Sequence, residues 1–99
     1  VKKIGTIIIN GQAHQLHEAH YRGGRIAIVV DEGRWGKLTV NVPDQPLAPG
    51  CIHVKTWGEN ERLRAPALAT GLFEDTGERV PAAPGSFVMA EVWKYRRAP

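Results

Sequence analysis

The chain predicts an α+β domain: an antiparallel β-sheet of about five to six strands with one short helix packed on one face. Three observations carry this. Short runs rich in β-branched residues alternate apolar and polar positions, as in Arg25 to Asp31 and Lys37 to Val42. Tight-turn dipeptides, Asn10-Gly11 and Gly23-Gly24, separate such runs. A single helix signal falls late, between Asn60 and Gly71.

The elements follow in order. Thr6 to Asn10 holds three consecutive isoleucines and reads as a strand. Asn10 and Gly11 tolerate positive φ and so turn the chain into a hairpin. Gln12 to Arg22 is the return strand, although Ala13, Leu16 and Ala19 also sit at helical spacing. Arg25 to Asp31 is the clearest strand, with Ile26, Ile28 and Val30 on one side. After a turn over Glu32 to Gly36, Lys37 to Val42 directs Leu38, Val40 and Val42 to the core. Pro43 stops pairing, because it has no N–H to donate. Cys51 to Trp57 is a further strand with Ile52 and Val54 on its apolar side. Cys51, His53, Lys55 and Trp57 then share the side away from the core.

Asn60 is placed as an N-cap, and Glu61 complements the helix dipole. Leu63, Ala67 and Leu68 form the helix, which stops at Gly71 as a C′ residue. Pro66 inside a helix costs about 3 kcal/mol, so the helix either starts near Ala65 or is kinked. Thr76-Gly77 and Pro81 to Gly85 mark turns, and Phe87 to Tyr95 is the last strand. Residues 1–99 make one domain.

With 42% hydrophobic residues the chain should fold. It holds no run near the roughly 20 apolar residues of a membrane helix, so no membrane partner is expected. The run Ile7-Ile8-Ile9 ends at Asn10, too short for a secretory leader. One cysteine, Cys51, excludes an intrachain disulfide framework. A cytoplasmic location is expected. The formal net charge of +3 is unevenly spread. Arg22, Arg25, Arg34 and Lys37 cluster in the first half, whereas acidic residues gather from Glu59 to Glu78.

Several blocks resemble a known family. Leu38-Thr39-Val40-Asn41-Val42-Pro43-Asp44, Val54-Lys55-Thr56-Trp57 with Glu59-Asn60-Glu61, Thr76-Gly77 and Val80-Pro81 occur in order and at similar spacing to bacterial domain-of-unknown-function family 4313. Arg25-Ile26-Ala27-Ile28 also fits. The resemblance spans roughly Tyr21 to Val92. It departs at Pro66, where the family prefers a plain helix, and at the tail from Lys94 to Arg97. It implies a small protein of phage or mobile-element origin, and the family defines no catalytic residue.

Three candidate chemistries stand against bland readings. His14, His17 and His20 have H-x-x-H-x-x-H spacing, and imidazole is a common metal ligand. On a strand, however, His17 faces away from the other two. Cys51 and His53 share a strand face, but no third group orients them as a nucleophile and base. Ser86 lies outside any G-x-S-x-G elbow, and no glycine-rich phosphate loop is present. No cofactor and no enzymatic activity are expected, with a metal-dependent enzyme built on the histidine cluster as one alternative.

Basic and aromatic residues carry the main expectation. Arg25, Arg34, Trp35, Lys37, Asn41, Lys55, Trp57 and Arg62 are candidate partner-binding residues, since Trp and Arg are enriched in interface hot spots. The expected function is stoichiometric binding to a host protein complex. An anti-CRISPR-type inhibitor acting on a CRISPR-Cas component is its concrete form, resting on the family resemblance. The other alternative is nucleic-acid binding through Lys94, Tyr95, Arg96 and Arg97, where aromatics would stack on bases. Monomer and homodimer are both open.

Overall fold

The structure is a computed structural model and describes residues 1–96. It is an α+β fold with seven strands divided between two antiparallel sheets. The first contains β1 (Lys2–Ile9), β2 (Gln12–His20), β3 (Ile26–Val30) and β4 (Gly36–Lys37), in that order. The second contains β5 (Cys51–Val54), β6 (Phe73–Pro81) and β7 (Met89–Tyr95), ordered β5-β7-β6. The helix α1 (Arg64–Ala69) follows a 3-10 segment over Gly58–Leu63.

Local chemistry explains the first sheet. Asn10 and Gly11 both take positive φ, 50° and 78°, so a two-residue turn closes β1 on β2. Gln12 onward is therefore strand, and the helical spacing within it is coincidental. Ile7, Ile9, Leu16, Ile28 and Val30 point to one face and are buried. They pack against Ile52, Val54, Phe73, Trp93 and Tyr95 of the second sheet, and Leu63 and Ala67 join them. Burying each large aliphatic side chain contributes roughly 1.5–3 kcal/mol. Trp93 is fully buried and satisfies its indole by donating to Glu91 Oε1 at 3.0 Å.

The second sheet has apolar residues on its other face too. Val42, Val80, Ala90 and Val92 form a smaller cluster, with Val40, Leu47 and Trp57 packed on it. The chain between β4 and β5 covers this face. Two corrections follow. Trp57 is half-buried on this second cluster rather than turned away from all apolar contact. His53, on the side expected to be open, is 3% exposed.

Lys37 to Val42 is not one strand. Pairing with β3 ends at Lys37, and the chain then crosses between the sheets. Leu38 N–H still donates to Ile28 of the first sheet at 2.9 Å, whereas Val40 N–H donates to His53 of the second at 3.0 Å. The alternating pattern was real, but Leu38 and Val42 serve different apolar clusters. Thr39 is buried, and its Oγ1 accepts from Ile28 N–H and hydrogen-bonds Tyr21 Oη.

Three further expectations change. Asn60 does not cap a helix; its side chain donates to the Lys37 and Lys55 carbonyls at 2.7 and 3.2 Å. Pro66 is the third helical residue, where its missing N–H would have had no intrahelical acceptor. Residues 73–81 form a strand across Thr76-Gly77, because a bulge between Asp75 and Arg79 absorbs the turn-like pair. Gly71 does take φ 78° just after the helix, as a C′ glycine should. The last strand starts at Met89, leaving Phe87 in the preceding turn.

Candidate partner-binding face

Asn60 gathers the candidate face. By bonding the carbonyls of Lys37 and Lys55 it ties the end of β4 to the chain after β5, two residues before Arg62. Residues of the segments it ties form three pairs of cation and ring. The Arg62 guanidinium lies 4.4 Å from the centre of the Trp35 ring. The Lys37 ammonium lies 5.5 Å from the Tyr21 ring, and that of Lys55 lies 5.9 Å from Trp57. Each pair contributes about 0.5–1 kcal/mol at an exposed site and restrains a long cationic side chain.

Trp35 is held from behind. It packs on the main core, and its ring sits 5.6 Å from that of His14. His14 Nδ1 is 2.6 Å from Asp31 Oδ2, and Asp31 Oδ1 accepts from Gln15 N–H at 2.9 Å. These two bonds, the His14 contact first, hold the Asp31 carboxyl below its usual range. They also secure a costly turn: Asp31 and Glu32 take φ 52° and 58° without being glycine. The turn sets the direction in which Arg34 and Trp35 leave the sheet.

The eight sequence candidates fall into two groups. Trp35 meets Arg62, Trp57 meets Lys55 and Lys37 meets Tyr21, with Trp35 and Trp57 packed on different apolar clusters. Arg34 is exposed beside them, its Nε donating to the Asp31 carbonyl at 3.4 Å. Lys55 is paired with Glu59 at 2.8 Å. Arg34, Lys37 and Arg62 have no carboxylate within 4.0 Å among the described residues. Arg25 is structural: its guanidinium donates to the Val42 and Gln45 carbonyls, both at 2.7 Å, and pins the crossing segment. Asn41 is exposed with no side-chain bond to the pairs.

The residues of the nucleic-acid alternative separate. Tyr95 is buried and donates to Glu18 at 2.8 Å. Arg96 is paired with Glu74, and Lys94 is exposed. Arg97 lies outside the described residues. The three histidines also separate. His14 engages Asp31, His20 is exposed, and His17 lies on the opposite face of β2. There His17 borders an open cavity of about 560 Å³ with Lys3, Ala19, Val29 and Glu32. Among the described residues, no three His, Cys, Asp or Glu side chains converge as a metal-holding group.

Sequence reasoning missed two features. A four-residue ionic network lies at one end of the second sheet. Arg64 bonds Glu91 at 3.1 Å and Asp75 at 2.7 Å, and Arg79 reaches both carboxylates. The Arg79 hydrogen bond, above all, holds Asp75 at a pKa of about 2. Asp75 and Arg79 are four residues apart, but Arg64 and Glu91 come from other elements, so only the unrecognised β6 would have exposed the network. The second feature is Phe87, fully exposed at the β6–β7 turn. Its signal was the uncharged run from Val80 to Ala90.

Comparison with known proteins adds no relative. No family model, no curated protein and no solved structure matches the chain. The described residues contain no helix long and apolar enough to cross a membrane.

Proposed function

We propose that the chain is a non-enzymatic binding protein that docks stoichiometrically on an acidic patch of a partner protein. The observation that carries this is the set of three cation–ring pairs, two of whose cations, Lys37 and Lys55, lie on backbone that Asn60 ties together. The cations are already restrained, so docking costs less side-chain entropy than it would for free lysines and arginines. Arg34, Lys37 and Arg62 are in no direct ion pair among the described residues, although Asp31 lies in the field of Arg34 and Glu59 in that of Arg62, and their charge favours an acidic counter-surface and fast encounter. Trp35 and Trp57 back two of the cations, Arg62 and Lys55, with the ring contact that restrains them.

The same pairs weigh against the nucleic-acid reading. Stacking on bases needs an open aromatic face. Tyr21, Trp35 and Trp57 each already carry a cation over the ring. The family resemblance supports phage or mobile-element origin and a CRISPR-Cas component as the partner. On that reading, bound protein would block the complex's nucleic-acid path. The test is an interference assay in cells expressing wild type or Arg62→Glu. Loss of interference with wild type and its recovery with the variant supports the reading. Normal interference with wild type removes the CRISPR-Cas partner.

A further inference from the structure

We infer that the cavity on the outer face of the first sheet binds a small zwitterion, an amino acid or dipeptide with an apolar side chain. This does not depend on the partner-binding face. The cavity measures about 560 Å³ and is lined by Val1, Lys3, His17, Ala19, Val29 and Glu32. Small-molecule sites have volumes of this order and combine an apolar lining with a few placed polar groups.

Two departures from regular backbone aim the charges here. The first is in β1. From Ile9 back to Gly5 the pairing with β2 is regular, and Ile7, Ile9 and Leu16 are buried in the core. Continued regularly, this alternation would turn Lys3 toward the core and Ile4 away from it. The register shift between Lys3 and Gly5 reverses both. Ile4 packs on the core, and Lys3 lies opposite His17 on the outer face. Bulges re-aim side chains in this way beside functional sites. The second departure is the turn after β3, where Glu32 takes φ 58° without being glycine. Backbone held in this conformation concentrates at ligand sites.

The polar groups of the cavity are unmatched within the protein. Lys3 and Glu32 line it together, yet neither has an opposite charge within 4.0 Å among the described residues. His17 Nδ1 is buried without a hydrogen-bond partner. A buried N–H lacking an acceptor is rarer than a buried acceptor lacking a donor, so neutral His17 carries its proton on Nε2. That N–H joins the Lys3 ammonium as a donor.

Their order across the sheet selects the ligand. His17 pairs with Lys3 on one side and with Val29 on the other. The cavity thus runs from ammonium and imidazole, over an apolar floor of Ala19 and Val29, to the Glu32 carboxylate. A simple anion would suit Lys3 and be repelled by Glu32, and a simple cation the reverse. A zwitterion serves both ends. Its carboxylate accepts from Lys3 and His17, its ammonium donates to Glu32, and its side chain lies on Ala19 and Val29. β1 and β3 are two strand spacings apart, about 10 Å, which sets the ligand at amino-acid or dipeptide length.

Calorimetric titration of the full chain with leucine and with alanyl-leucine tests this and tells the two sizes apart. N-acetyl-leucine, which lacks the ammonium, and leucinamide, which lacks the carboxylate, serve as controls. At least one of the zwitterions should bind and shift the His17 ring signals in NMR, with both controls tenfold or more weaker. Lys3→Met and Glu32→Gln should each lower the affinity for that zwitterion tenfold or more. Both side chains are exposed, so the variants keep the fold. Absence of binding by either zwitterion at millimolar concentration overturns the proposal. So does equal binding of the blocked forms, or an affinity that neither substitution changes.

Discussion

Arg62 holds its guanidinium 4.4 Å from the centre of the Trp35 ring, although the two lie on different segments. Trp35 follows the strained turn after β3, and Arg62 lies in the last turn of the 3-10 segment before α1. The contact exists because Asn60 fastens one segment to the carbonyl of Lys37 in the other. A backbone-directed amide thus sets the geometry of an exposed cation.

Arg62→Glu should therefore separate binding from folding. Arg62 is exposed and its removal loses about 0.5–1 kcal/mol of ring contact. Denaturant unfolding should show a stability change of that size. Partner affinity should fall tenfold or more through charge reversal on the face.

Asn60→Ala should act the other way. It removes two hydrogen bonds and leaves the Lys37 and Lys55 carbonyls without the side chain that tied them. A loss of about 1–3 kcal/mol is expected in denaturant unfolding. Binding should weaken as well, because Arg62 and Trp35 lose their common anchor.

Part of this was legible in the sequence. Asn10-Gly11 and Gly71 acted as expected because positive φ is a local demand that few residues meet. Trp35, Lys37, Lys55, Trp57 and Arg62 could be named as candidates from residue type alone. Their grouping could not, since Asn60 looked like a helix cap and its actual acceptors are set by tertiary contact. The second sheet was hidden for a related reason. Thr76-Gly77 has turn chemistry, and only pairing with β7 shows that it is a bulge within β6. Leu38 to Val42 alternated like a strand because two apolar clusters, one on each side of the second sheet, impose the same pattern.

Acid should expose the ionic network. The pKa of Asp75 is about 2 in the fold against an ordinary 3.8. A depressed carboxyl adds stability above its ordinary value and loses it as pH falls through the folded one. The window therefore runs from about pH 4 down to about 2, with a loss on the order of 2 kcal/mol. Asp75→Asn should be less stable at neutral pH and flatter across that window, as read from urea midpoints against pH.

His53 should set a second, milder limb. Burial lowers its pKa, and the positive charge of Arg25 adds to this while Glu78 opposes it. The unfolded chain then binds the proton more readily than the fold does. Stability should fall as pH drops below the ordinary value of 6.5. His53 Nε2 has no protein partner in its buried site. His53→Leu should therefore keep the fold and remove this limb from the pH profile of thermal unfolding.

The docking face itself is tested most directly by affinity capture from cells carrying defence systems, with wild type and Arg62→Glu run side by side. The expected result is a partner protein in stoichiometric amount on wild type and lost from the variant, with no nucleic acid needed for retention. The contrary result is the same protein in equal amount on both, or retention on wild type that nuclease treatment abolishes.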